Sequence, residues 1–139
     1  MSTYLERMNH TDWSGWKPFF LIAGLYDVLL GLVFLVFGEE ILEWVGMELP
    51  PHIAYIQLAA VFIFVQGLSY LLVWTNPTRY LGLVMIGVVY KVAYAGLALW
   101  YILIGDLPSA FFIPWALIDI VFLVGFLLFL RAAWPNRAS

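Results

Sequence analysis

The sequence predicts an all-α fold: an integral membrane four-helix bundle built from two hairpin repeats, with both termini cytoplasmic. Three observations carry this. Four apolar stretches each reach the roughly 20 residues needed to cross a hydrocarbon layer about 30 Å thick. The 139 residues are 65% hydrophobic and 11% charged, whereas a soluble domain has about 45–50% and about 25%. Finally, the basic residues outside the spans all fall on one side, as the positive-inside rule requires of cytoplasmic segments.

The elements follow in order along a single membrane domain, residues 1–139. The N-terminal segment, Met1 to Pro18, is polar and mixed in charge. It is not a signal peptide, because the first apolar run starts too late and no small-residue cleavage site follows it. The first span runs from about Phe19 to Phe37. Over about 39–47, Ile41, Leu42, Trp44 and Val45 alternate with Glu39, Glu40 and Glu43 at helical spacing, which predicts a short amphipathic helix on the outer surface. Leu49-Pro50-Pro51 closes that connection. The second span covers about Ala54–Trp74 and ends at the tight turn Asn76-Pro77-Thr78-Arg79. The third covers about Tyr80–Ile102, followed by the turn Gly105-Asp106-Leu107-Pro108. The fourth covers about Ala110–Leu130.

Arg7, Lys17, Arg79, Arg131 and Arg137 lie on the side of the termini and the second connection. The first and third connections carry Glu39, Glu40, Glu43, Glu48 and Asp106 and no Lys or Arg. Tryptophans flank the spans at both ends: Trp13, Trp16, Trp74 and Trp134 on the inner side, Trp44 and Trp100 on the outer, as an interfacial belt does. An internal repeat pairs Gly24-Leu25-Tyr26-Asp27 with Gly87-Val88-Val89-Tyr90-Lys91, and Phe64-Val65-Gln66-Gly67 with Phe122-Leu123-Val124-Gly125. It predicts two hairpins related by a pseudo-two-fold axis along the membrane normal.

Near the middle of each span stands one strongly polar residue: Asp27, Gln66, Lys91 and Asp119. A lone charge at the bilayer centre costs about 2.5–3.5 kcal/mol on insertion scales. Three such charges must therefore face inward and find each other. Gly24, Asp27 and Gly31 share a helical face, as do Gly87, Lys91, Tyr94 and Ala98, and small residues there let backbones approach. The expected arrangement is Lys91 bridging Asp27 and Asp119, with Gln66 and the hydroxyls of Tyr26, Tyr70, Tyr90 and Tyr94 completing the hydrogen bonds. Gln57, nine residues from Gln66, falls half a turn away and faces elsewhere.

The absences narrow the chemistry. With no cysteine, disulfides and thiolate sites are excluded. There is no phosphate-binding loop, dinucleotide fingerprint, HExxH or GxSxG, so no catalytic residue is assigned. His10 and His52 fall on opposite sides of the membrane, so no metal site is expected. No basic patch supports nucleic-acid binding.

Four uses of the polar layer stay open: polar glue between helices, a proton or ion path, a site for a lipophilic ligand such as a quinone or lipid, and catalysis on a lipid-soluble substrate. The leading expectation is a non-enzymatic accessory subunit of a larger membrane assembly, with lipid and a membrane-protein partner or a second copy around it. A small proton-coupled transporter or lipophilic-ligand-binding protein is the alternative.

The stretch Gly46-Met47-Glu48-Leu49-Pro50-Pro51-His52-Ile53-Ala54-Tyr55 leads into a helix with Gln66-Gly67. Thr78-Arg79 and Leu81-Gly82-Leu83-Val84-Met85-Ile86-Gly87 follow. This layout resembles the DoxX-like family of small bacterial four-helix membrane proteins, most specifically from about residue 46 to 87. The chain departs from that pattern at Tyr26-Asp27 and at Gln66. The resemblance implies a bacterial inner-membrane protein, in some cases associated with a quinone-linked redox complex.

Overall fold

The computed structural model describes residues 13–136. Arg7, His10 and Arg137 lie outside the described residues. Four α-helices make up the fold: α1 (Lys17–Trp44), α2 (Ala54–Thr75), α3 (Leu81–Leu103) and α4 (Ser109–Ala133). Short 3₁₀ turns, Trp13–Trp16 and Trp134–Asn136, flank them. All four helices are long and apolar enough to cross a membrane.

The pattern of exposure is that of a protein whose solvent is lipid. Phe62 (71% exposed), Val89 (65%) and Val121 (66%) point outward, while Asp27, Lys91 and Asp119 are buried. Outward apolar surface on this scale is untenable in water, and charges placed inside are what hydrocarbon surroundings enforce. Gln57 is exposed on α2, away from the half-buried Gln66.

The expected break after Phe37 is absent. Residues 39–44 continue α1, which runs unbroken for 28 residues, about 42 Å at 1.5 Å per residue. No separate amphipathic helix exists over 39–47. Carboxylates do not stop a helix once its end has left the hydrocarbon, and Gly38 is held inside it, packed against Ile56. The stop comes at Gly46, whose φ is +76°. There Gly46 N–H bonds Glu43 C=O at 3.0 Å and Met47 N–H bonds Leu42 C=O at 2.9 Å, a Schellman ending. The end of α3 is the same: Gly105 has φ +85°, and Asp106 N–H reaches Tyr101 C=O at 2.9 Å.

α1 and α2 pack backbone against backbone. Gly24, Gly31 and Gly38 recur at seven-residue spacing along one stripe of α1. A Cβ on Gly31 would meet the backbone of Ala60 and Phe64, and one on Gly67 would meet that of Val28 and Gly24. Small residues in this pattern let membrane helices approach closely. The glycines of α3 and α4 serve differently: Gly87 receives the Tyr70 ring and Gly125 the Phe19 ring. Aromatic side chains of the first hairpin thus plug into gaps in the second.

These plugs fill the half of the bundle near the termini. Phe20, Phe126, Phe129, Tyr70, Val73 and Val84 are wholly buried there. Phe20 stacks on Phe126 at 5.6 Å and meets Phe129 edge-on at 4.9 Å, and Tyr70 lies 4.9 Å from Phe126. Both geometries are favourable for aromatic quadrupoles.

Candidate functional site

Above the phenylalanine cluster, three helices deliver one ionisable side chain each to a common point. Lys91 Nζ donates to Asp119 Oδ1 at 2.7 Å and lies 3.4 Å from both Oδ1 and Oδ2 of Asp27. All three side chains are at most 6% exposed. The first distance is that of a strong charge-assisted hydrogen bond; the second pair is long and evenly split. Asp119 is thus the tight partner and Asp27 the loose one.

Aromatic rings close around the ammonium. The ring centroids of Tyr26, Tyr70, Tyr90 and Phe122 lie 5.5–5.7 Å from Lys91 Nζ, within range of cation–π attraction. This corrects the expectation that Gln66 and tyrosine hydroxyls complete the hydrogen bonds. Tyr26, Tyr70 and Tyr90 offer ring faces instead. Gln66 Nε2 and Tyr70 Oη are buried, and neither has a hydrogen-bond partner among the described residues. The Tyr70 ring and hydroxyl lie against Gly87, in the space that a side chain there would fill. Tyr94 stays one turn away, stacked on Tyr90 at 6.1 Å.

On the loop side of the triad, the side of residues 45–53 and 104–108, the packing opens into a cavity of about 230 Å³. Its wall contains one residue from each helix that lies three or four positions from the polar one. Leu30 follows Asp27, Ile63 precedes Gln66, Tyr94 follows Lys91 and Trp115 precedes Asp119. Each step leads about 4.5–6 Å toward the same side. The triad therefore lies about one helical turn beneath the cavity, behind these lining residues. Phe34, Phe111 and Phe112 complete the aromatic wall, with Ala59 opposite. Pro114 sits within the α4 segment that supplies three of these rings. It has no N–H for the carbonyl of Ala110, which loosens the first turns of α4.

Of the residues singled out in the sequence, Asp27, Lys91 and Asp119 meet directly. Tyr26, Tyr70 and Tyr90 surround them, Gln66 lies beside Tyr70, and Tyr94 lines the cavity. Phe122 and Trp115 are additions to the residues expected at the site. The signal was spacing: they stand three residues after and four before Asp119, on its helical face. Trp115 is also set within its span, away from the interfaces where the other tryptophans lie.

Arranged so, the site can hold charge in a place where charge is expensive. It can also hold an apolar body of about the size of one or two rings, about one helical turn above that charge. Comparison with protein-family models, with curated proteins and with solved structures finds no match.

Proposed function

We propose that this is a multi-pass membrane protein that binds a small lipophilic molecule in the cavity over the Asp27–Lys91–Asp119 triad. One observation carries the proposal: an apolar cavity, half of it aromatic, that lies about one helical turn from a buried ionic centre. Ligand sites are largely apolar with a few polar groups at one end, and intramembrane ionisable residues mark functional sites by default. Polar glue alone is a weaker reason for three charges, since membrane hydrogen bonds average only about 0.6 kcal/mol.

The proposal includes orientation and place. The basic residues favour cytoplasmic termini, which puts the cavity in the outer half of the bilayer. The DoxX-like layout supports a bacterial inner membrane, where quinones and lipids are the abundant lipophilic candidates. The like endings of α1 and α3 support two hairpins of common design. A second role, as an accessory subunit, would place the same cavity within a larger assembly.

The test is direct. Protein in lipid nanodiscs is titrated with a brominated aromatic probe, and quenching of tryptophan fluorescence is followed. Saturable quenching is expected, lost in Trp115→Phe and in the cavity-filling variant Ala59→Phe. Quenching that is unsaturable, or unchanged by both substitutions, would sink the proposal. Purification in mild detergent with intact-assembly mass spectrometry tests the subunit role, through the presence or absence of a stoichiometric protein partner.

A further inference from the structure

With both carboxyls ionised, two carboxylates and one ammonium leave the triad with a net charge of −1. The other titratable groups facing it are Tyr26 from α1, Tyr70 from α2 and Tyr90 and Tyr94 from α3, which as phenols add no charge. Gln66 is neutral, and α4 adds only Asp119. Among the described residues no second cation reaches the centre: the ion pairs of both carboxylates run to the same Lys91 Nζ.

That spare charge has a preferred direction. Toward the termini the centre is sealed by Phe20, Phe126 and Tyr70, each fully buried. Toward the loops the cavity begins about one helical turn away. Half of the residues that line the cavity are aromatic: Phe34, Phe111, Phe112, Tyr94 and Trp115. Ring faces are negative, and stabilise a desolvated cation that has lost its water. A spare negative charge one turn below and aromatic rings in the wall favour the same occupant.

We infer that the cavity takes a small lipophilic cation, such as an amine or quaternary ammonium with one apolar ring or chain. The inference rests on the lipophilic-ligand function proposed above and adds the sign of the ligand's charge. The cationic head lies toward Asp27 and Asp119 and the apolar part against the wall. Asp27 is the more available carboxylate, because Asp119 is already committed to the 2.7 Å bond with Lys91. The cavity volume of about 230 Å³ sets the size of ligand. A dry cavity of about 150 Å³ already holds benzene, so one ring with a trimethylammonium head is a suitable probe.

The experiment is equilibrium dialysis of benzyltrimethylammonium and its uncharged carbon isostere, neopentylbenzene, against the full chain in nanodiscs of neutral lipid. Ala59→Phe nanodiscs serve as the blank for partition into lipid. The expected result is that the cation binds at least about tenfold more tightly than the isostere, the scale set by one unit charge several ångströms away at an intermediate dielectric. Asp27→Asn and Asp119→Asn are each expected to remove that preference while leaving neopentylbenzene bound, so the neutral probe also reports that the variant is folded. If either variant fails to fold, the ratio of the two probes on the unaltered protein still decides. Equal binding of both probes overturns the charge inference and leaves the lipophilic site standing. A cation preference that survives in both folded variants also overturns it. Binding of neither probe above the blank overturns both.

Discussion

Phe20, Phe126 and Phe129 stand on one side of the ionic centre, and Phe34, Phe111 and Phe112 on the other. The same residue type has opposite effects in the two places. On the terminal side each ring meets rings from other helices, and Phe20, Phe126 and Phe129 are fully buried. On the loop side Phe111 and Phe112, neighbours on α4, pack on one another at 5.1 Å and leave the space in front of them open. What differs is the register of small residues. Gly87 and Gly125 receive rings from across the bundle near and below the triad; above it, Gly31 and Gly38 receive α2, through Ala60, Phe64 and Ile56. A bundle can thus be solid in one half and hollow in the other with the same composition in both.

The largest effect should come from the boundary between the halves. Lys91→Met leaves two carboxylates buried without a cation, and breaking a buried ion pair in this way costs about 3–5 kcal/mol. Loss of folded protein is expected, read as yield and thermal stability in detergent. Replacing all three together, as Asp27→Leu, Lys91→Met and Asp119→Leu, is expected to restore folding, because matched apolar packing often substitutes for a buried ion network. A triple variant as unstable as the single one would show that the network itself holds the halves in register.

The next contrast sets one half against the other. Phe126→Ala empties a filled site and should cost about 3–5 kcal/mol. Phe34→Ala enlarges an existing cavity and should cost clearly less, about 1–2 kcal/mol, since few of its packing contacts are complete. Detergent-driven unfolding monitored by circular dichroism measures both. Equal costs would mean that the cavity is occupied by well-packed lipid or ligand.

Smaller again is the contrast between glycines. Gly31→Ala pushes into the backbone of Ala60 and Phe64 and should cost about 1–3 kcal/mol by overpacking. Gly96→Ala meets nothing within 4 Å and should stabilise by up to about 1 kcal/mol through helix propensity. The smallest effect on the fold is expected from Ala59→Phe, within about 0.5 kcal/mol, the usual range for a change that adds no strain. A large loss of stability there would mean that the cavity wall does not yield.

Much of this architecture can be read from the residues themselves. The spans announce themselves by hydropathy, and the turns by Pro50-Pro51, Pro77 and Gly105. Pairing of Asp27, Lys91 and Asp119 follows from the energy of charge in hydrocarbon, which allows few other arrangements. The end of α1 was not legible from charge alone, since Glu39, Glu40 and Glu43 look like a boundary of the membrane and are not one of the helix. Gly24 and Gly31 pointed to close packing, but not to which helix would come close; α2 does, although it carries none of the charges. The cavity was hidden for a deeper reason. Its volume is a small difference between large packed volumes, set by where rings such as Phe111 and Trp115 settle, and periodicity does not encode that.

The triad also joins parts of the chain made at different times. Lys91 lies 64 residues after Asp27. At about 5–20 residues per second of synthesis, the carboxyl of α1 enters the membrane about 3 to 13 s before its cation exists. During that interval α1 and α2 already possess their glycine seam, so they can close as a hairpin on their own, with Asp27 left waiting on its inward face. The second hairpin then arrives at a half-built site whose missing charge it carries, and its insertion is drawn forward by the neutralisation that it completes.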